Sequence, residues 1–517
     1  MPLQKLQVFF LQHIRKIDAA CTVFIFLTPV VLALGVAVSC GLHTCDDQVA
    51  ATGARYLASG WGYTLPQPMI PDKIAPFTPW FTQGPAIILP VALAMYVFGT
   101  SDIVPPVAAV SLWALLFALI LLVLYRQPRR CLFAPVVLAI VFGVFGLFGL
   151  HFEQWTTMLG EVHGALFFVL GIAFFATATQ SGKSNLIAGT VIGLSLTSKL
   201  IMLFALPGIV LAVIVRLAFE ERRFSIQLRY FLALAIGIAL PAAVYELCKM
   251  WFLGLGGYAD NIKAFASMMQ SQGVSGGNAL FDAAGISGKL WVLKTRFFLS
   301  PAKISLIVVL TGLLAFKIRN NKKLKIFYFA AVASSACLYA YWLFLSKGWA
   351  RYAVAALVIH LFAMGAACIE LRWKEALAVL ALLLVLWGGG MKHMNHELSA
   401  ADNGLFRASG ARMERLKVAA FVQEKMAASK ASFVTQWWAT GMDIQYFLSR
   451  GLYIGLASEM ADDAGPTYLI TNKRYQTGEQ KAETGAFPKE RYVFDGRQYS
   501  IINITGSPAE RFKKWRY

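Results

Sequence analysis

Over the first 390 or so positions the chain alternates long apolar runs with short connections rich in Lys and Arg; beyond about residue 400 the runs shorten and polar residues interleave with them. A helix needs about twenty mainly apolar residues to cross a bilayer. Runs of that character lie near 19–41, 105–125, 131–150, 161–179, 185–198, 200–218, 230–252, 303–317, 325–345, 353–370 and 375–390, which predicts about eleven spans. Charge settles the shorter ones, because Lys and Arg collect on the cytoplasmic side. The connections holding Arg15 and Lys16, then Arg126, Arg129 and Arg130, then Lys183, then Arg222, Arg223 and Arg229, then Lys317 to Lys325, then Arg372 and Lys374 are all basic. If each is cytoplasmic, two spans separate it from the next. That parity makes 185–218 a hairpin of two short helices turning near Lys199. It puts the N-terminus inside and leaves the tail outside.

Four connections then face outward: 42–104, 151–160, 253–302 and 346–352. The first contains Pro66, Pro68, Pro71, Pro76, Pro79 and Pro85, which break regular structure. Its apolar stretch 86–99 is too short to span and reads as an interfacial helix. The third is rich in Gly and Ser around Gly273 to Gly277, the composition of a mobile lid or a docking segment. In the tail, Val434 to Trp437 and Thr467 to Thr471 read as strands and Asp443 to Ser449 as a helix. Tyr492 to Phe494 and Tyr499 to Ile504 flank Asp495-Gly496, a hairpin signal. The expected architecture is a polytopic α-helical membrane part, residues 1–395, followed by a small extracytoplasmic α/β domain, residues 396–517.

Composition agrees with lipid. The chain is 58% hydrophobic and 14% charged, with mean hydropathy +0.61, whereas soluble domains carry about a quarter charged residues. A net charge of +20 would suggest nucleic acid in a soluble protein; here it is an orientation signal, and no nucleic-acid partner is expected. The seven cysteines have no metal spacing. Cys40 and Cys45 alone lie close together, and both a small disulfide and two free thiols remain open. The N-terminal apolar run is too long for a cleavable signal and lacks its small-residue site.

Ionisable residues beside spans are costly and mark function. Asp46 and Asp47 follow the first span, and the helix predicted over Gln48 to Ser59 starts there. Asp47 lies three residues after Thr44, so a capping-box role explains it as well as a functional one does. Glu161 heads the fourth span with Glu153 and His163 nearby, Lys199 sits at the hairpin tip, Arg351 and Tyr352 head the tenth span, and Glu246 approaches the outer end of the seventh. Singly, each is explained by snorkelling to the interface. Together they gather carboxylates and cations at the outer face. A lipid-linked phosphate presents its phosphate at that depth. Lys and Arg can neutralise the phosphate as it leaves, and a carboxylate can take the proton of an acceptor hydroxyl.

Asp46-Asp47, Ala54-Arg55-Tyr56-Leu57 and Gly60-Trp61-Gly62-Tyr63-Thr64 resemble the first outer loop of multi-spanning GT-C-type glycosyltransferases, the group of protein O-mannosyltransferases and aminoarabinose transferases. Thr82-Gln83-Gly84-Pro85, Gly160-Glu161, the stretch Gly189 to Lys199 and Arg351-Tyr352 continue the pattern in order over residues 15–390. The resemblance implies Asp46 as the catalytic carboxylate, Asp47 as its companion and Glu161 as the second-loop acid. Lys199 and Arg351 with Tyr352 would bind donor phosphate, and Arg55, Tyr56, Tyr63 and His163 are candidate substrate contacts. This chain departs from the family in having Asp-Asp where Asp-Glu is commoner, and Ser198 rather than Thr before the lysine. The implied donor is a polyprenyl-phosphate sugar and the acceptor a protein, lipid or glycan hydroxyl, reached from the membrane's outer face by an inverting displacement. Two rival readings are a transporter or flippase of lipid-linked saccharide, which places polar groups at the midplane within repeats, and an oligosaccharide ligase or polymerase. Asp46, Asp47 and Glu161 could together hold a divalent ion, but Lys199 and Arg351 supply positive charge, so a metal-free mechanism without cofactors is expected.

Overall fold

A computed structural model of the chain describes residues 3–42, 45–66, 74–78, 83–127, 132–148, 153–177, 181–219, 224–274, 285–297, 299–346, 350–372, 374–383, 405–429, 431–435, 438–449, 452–457, 466–473, 476–507 and 512. The first apolar run folds as α1 (Leu3–Cys40). Asp18 on it is 4% exposed and accepts from the Phe133 and Ala134 amides at 2.9 and 2.8 Å. Those amides open α5 (Phe133–Phe148), so Asp18 satisfies helix-end donors that lipid could not.

Gly41, at φ +57, turns the chain into α2 (Cys45–Ala58). A two-stranded ribbon follows, β1 (Thr64–Pro66) paired antiparallel with β2 (Ile74–Pro76), each strand ending on a proline. The proline-rich loop expected to lack regular structure thus holds a short ribbon, with Pro66 and Pro76 at strand ends, where a missing N–H costs least. Then come α3 (Pro85–Phe98), α4 (Val104–Tyr125), α6 (Glu153–Thr156), α7 (Glu161–Thr177), α8 (Gly182–Ser198), a 3-10 turn (Leu200–Ala205) and α9 (Pro207–Phe219). The long α10 (Phe224–Val274) is broken at Gly254 and continues past it, so the first half of the loop expected at 253–302 is helical. Beyond it lie α11 (Gly285–Arg296), α12 (Pro301–Lys317), α13 (Lys322–Ala340) with a π turn (Tyr341–Leu345), α14 (Ala350–Ala367) and α15 at 374–383.

Among the described residues six stretches are long and apolar enough to cross a membrane: His13–Cys40, Val104–Tyr125, Leu200–Ala218, Leu228–Met268, Lys322–Leu345 and Arg351–Glu370. Of the other expected spans, α5, α7, α8 and α12 are helices of 16 or 17 residues. Apolar side chains such as Phe24, Val31, Val210, Ile236, Val309 and Leu313 point outward, exposed. Such a surface belongs against hydrocarbon. The chain is a polytopic membrane protein. Its centre is α7, buried on nearly every side and flanked by α4, α8, α13 and α14.

In the tail, α16 (Leu405–Ser429) precedes β3 (Ser432–Thr435), α17 (Trp438–Gln445), β4 (Gly455–Leu456), β5 (Thr467–Asn472), α18 (Gly478–Gly485), β6 (Tyr492–Asp495) and β7 (Tyr499–Asn503). The sheet order is β4-β3-β5-β7-β6, parallel for β4-β3-β5 and antiparallel for β5-β7-β6. The strand expected over Thr467 to Thr471 and the hairpin at Asp495-Gly496 are present; the strand expected over Val434 to Trp437 starts two residues earlier, at Ser432, and its last two residues lie outside the described ones. The helix expected over Asp443 to Ser449 lies five residues earlier at its start, and the 25-residue α16 was not expected at all.

The tail is fastened to the membrane part by buried polar contacts. Arg412 on α16 forks onto Asp102, Nε to Oδ2 at 2.6 Å and Nη2 to Oδ1 at 2.8 Å. A Cβ at Gly41 would sit 2.4 Å from the same Asp102 oxygen, so only glycine fits beside the pair. Asp102→Ala should therefore destabilise the protein by about 3 kcal/mol, the low end for a broken buried pair because Arg412 stays partly exposed. Gly41→Ala should have the same sign. The check is a melting temperature in detergent together with limited proteolysis, in which both variants should lose heat stability and expose the tail to cleavage before wild type does.

Candidate active site

Asp46 and Asp47 both lie in the first turn of α2, where a carboxylate complements the positive end of the helix dipole. They face different surroundings. Asp47 is fully buried and its Oδ1 accepts from the Met158 amide at 2.8 Å, tying α2 to the segment between α6 and α7. Asp46 keeps a third of its side chain exposed and forms an ion pair with Arg351 at the head of α14. Thr44, the capping-box partner proposed for Asp47, lies outside the described residues.

Glu161, the first residue of α7, is completely buried. Its Oε1 stands 3.6 Å from Lys199 Nζ and 3.8 Å from Arg351 Nε. Those separations are ion-pair distances, longer than hydrogen bonds, and among the described residues no donor lies within hydrogen-bond distance of either Glu161 oxygen. Lys199 ends α8 in an extended conformation, φ −154 and ψ 124, just outside the apolar span Leu200–Ala218. A cation at that end of a helix is favoured by its dipole. Burial pulls the lysine below its usual range, Glu161 opposes that shift, and Arg351 reinforces it.

Asp46, Glu161, Lys199 and Arg351 thus converge from four separate segments into one mixed cluster of two acids and two bases. Gly84 helps to close it. Its N–H donates to the Ser198 carbonyl at 3.2 Å, and a Cβ there would lie 1.7 Å from the Thr197 carbonyl oxygen. Beside the cluster the Arg351 guanidinium stands 5.6 Å from the Tyr352 ring centre. Tyr352 neighbours Tyr341, which stacks on Phe204 at 3.9 Å.

Structural comparison matches the chain to ArnT from Cupriavidus metallidurans in the apo state, with TM-score 0.55 over 92% of this chain and 97% of that one at 10% identity. The same protein bound to undecaprenyl phosphate matches with TM-score 0.53 over 93% and 98% at 11% identity. The chain has the fold of the GT-C-type glycosyltransferases. No family model matches the sequence, and no curated protein matches it either.

The remaining candidates have other partners. Arg55 donates to the Tyr446 carbonyl of the tail and lies 5.7 Å from that ring. Tyr56 is buried against Trp61 at 4.7 Å. Tyr63 stacks on Phe77 at 5.4 Å and donates to the Gln83 carbonyl at 2.9 Å. Buried His163 contacts the Ala109 carbonyl through Nε2 at 2.9 Å, joining α7 to α4. Glu246 pairs with Lys249 at 2.8 Å and accepts from Tyr258. The side chains of Glu153 and Cys45 lie outside the described ones, while Cys40 is buried. Among the described residues no three His, Cys, Asp or Glu group as metal ligands.

Gly84→Ala should displace the last turn of α8 or the loop before α3, because the clash is with backbone rather than with a side chain that can swing away. The expected result is little monodisperse protein by size-exclusion chromatography, with a lowered melting temperature in whatever is recovered. Wild-type behaviour would show that the loop does not pack there.

Proposed function

We propose that the chain is a membrane glycosyltransferase that moves a sugar from a polyprenyl-phosphate donor to an acceptor hydroxyl on the outer face of the cytoplasmic membrane, by inverting displacement. The observation that carries this reading is the cluster of Asp46, Glu161, Lys199 and Arg351 where the start of α2, the heads of α7 and α14 and the end of α8 meet. The fold shared with ArnT, one of whose structures holds undecaprenyl phosphate, supports the donor class. The acceptor is a glycan, lipid or protein hydroxyl.

Arg351 holds Asp46 in an ion pair, which keeps the carboxylate away from an acceptor hydroxyl. A lipid phosphodiester arriving at Lys199 and Arg351 competes for the guanidinium and frees Asp46. The acceptor oxygen then attacks the anomeric carbon as the bond from that carbon to the phosphate oxygen breaks. The acceptor proton passes to Asp46, and the electron pair stays on the phosphate. The phosphate gains negative charge as it leaves, so the two cations act more strongly on the transition state than on the ground state. Glu161, buried beside Lys199 and Arg351, takes a donor or acceptor hydroxyl in this reading. Asp47 fixes the geometry through Met158.

Three outcomes test the reading. Asp46→Asn keeps the shape of the side chain and removes the base, so turnover should fall by about 10² to 10⁴ with folding intact. Near-normal transfer by Asp46→Asn would assign the base elsewhere. Donor binding should weaken as pH rises through the pKa of Lys199, which burial holds below the usual lysine range, because only the ammonium attracts phosphate. Titrating undecaprenyl phosphate against wild type and Lys199→Arg measures this, and the arginine variant should lose the pH dependence. An impermeant thiol reagent on intact spheroplasts should label Ser429→Cys and spare Asn320→Cys; the reverse pattern would invert the orientation.

A further inference from the structure

Helix α2, which carries Asp46, is held by the tail at both of its ends. Before its start, the Leu42 carbonyl accepts from Arg415 Nη1. Near its finish, Arg55 donates to the Tyr446 carbonyl. Between these points Ala50, Ala51 and Ala54 of α2 share one apolar cluster with Tyr446, and α17 packs along the helix. The Tyr446 hydroxyl reaches further, to the Thr100 carbonyl at 2.8 Å. Arg415 is itself 3% exposed. Tyr499 and Asp443 of the tail favour its charged form. Asp443 in turn accepts from the Tyr499 hydroxyl at 3.0 Å and from Asn472 at 3.3 Å. A guanidinium buried this deeply is too costly to keep merely for holding a surface domain on. Its reach to Leu42 falls four residues before the proposed base.

We infer that the tail positions the catalytic carboxylate, with Arg415 and Tyr446 as positioning residues that set the depth and direction of α2. This rests on the glycosyltransferase reading above. The other three members of the cluster stand on α7, α14 and the end of α8, which are packed within the membrane bundle. Asp46 alone stands on a helix outside it. A displacement of about 1 Å between base and reacting atoms costs on the order of 10²-fold in rate, so the stiffness of α2 bears directly on turnover.

Arg415→Met removes the Leu42 tie, and Tyr446→Phe removes the Thr100 tie while keeping the carbonyl that holds Arg55. In folded protein each should lower kcat by about 10- to 100-fold. The donor KM should stay within about twofold, since Lys199 and Arg351 are untouched, and Arg415→Lys should recover part of the loss. A role confined to stability would lower the yield of folded enzyme and leave kcat per folded molecule unchanged. Lys473→Met, just past the end of the central strand β5 and paired with Asp495 at 2.7 Å, serves as the control and should leave kcat alone. Amide hydrogen exchange supplies a readout that needs no transfer activity. Residues 45–58 should exchange at least about tenfold faster in Arg415→Met, with 161–177 unchanged. If wild type shows no transfer from a lipid donor, the functional reading fails while the exchange result still judges the positioning. Should Arg415→Met not fold, Tyr446→Phe and Arg55→Met carry the same measurements. Folded variants with wild-type kcat and wild-type exchange over 45–58 would overturn the inference.

Discussion

An ionised side chain beside hydrocarbon is expensive unless an opposite charge stands next to it. In this protein Glu161 is wholly buried and Lys199 almost so, and each is tolerable only because the other, with Arg351 and Asp46, completes a balanced group. The four come from the first turn of α2, the head of α7, the end of α8 and the head of α14. Satisfying one charge therefore fixes the relative height of four segments. The same balance leaves the group responsive, because an arriving anion can replace Asp46 on Arg351 and release that partly exposed carboxylate.

Much of this was legible in the sequence, for a physical reason. Apolar runs report where lipid begins and ends, and a charge at the end of such a run has nowhere to go but the interface. Asp46, Glu161, Lys199 and Arg351 could therefore be put at one level before any contact was known. Their pairing could not. It depends on how α7, α8 and α14 are rotated about their axes, and apolar and polar positions on those helices do not separate into two faces, so the periodic signal is weak. The ties of the tail were illegible for a different reason. Asp102 and Arg412 are 310 positions apart, and each alone reads as an ordinary surface charge. Arg55 and Tyr63 sit in the motif that carries Asp46, and the sequence could not show that their side chains also brace that motif against the tail and the aromatic cluster around Phe77.

Helix α10 shows where periodicity misleads in the other direction. The Gly- and Ser-rich stretch around Gly273 suggested a loop from residue 253 onward. The backbone instead takes one non-helical step at Gly254, φ +66, and returns to helix as far as Val274. At 1.5 Å per residue, a helix of this length reaches roughly 75 Å, more than twice the hydrocarbon thickness. Its later half therefore belongs outside the bilayer. There Asn261 donates to the Phe77 carbonyl at 2.7 Å, linking α10 to the first outer loop.

Gly84 performs no chemistry, yet the gap it fills admits only a hydrogen atom, because the Thr197 carbonyl oxygen occupies the space where a Cβ would go. A saturation-mutagenesis map scored on transfer would therefore mark position 84 as dark as position 46. A second map scored on the amount of folded protein would separate them, with the glycine dark in both and the aspartate dark in one.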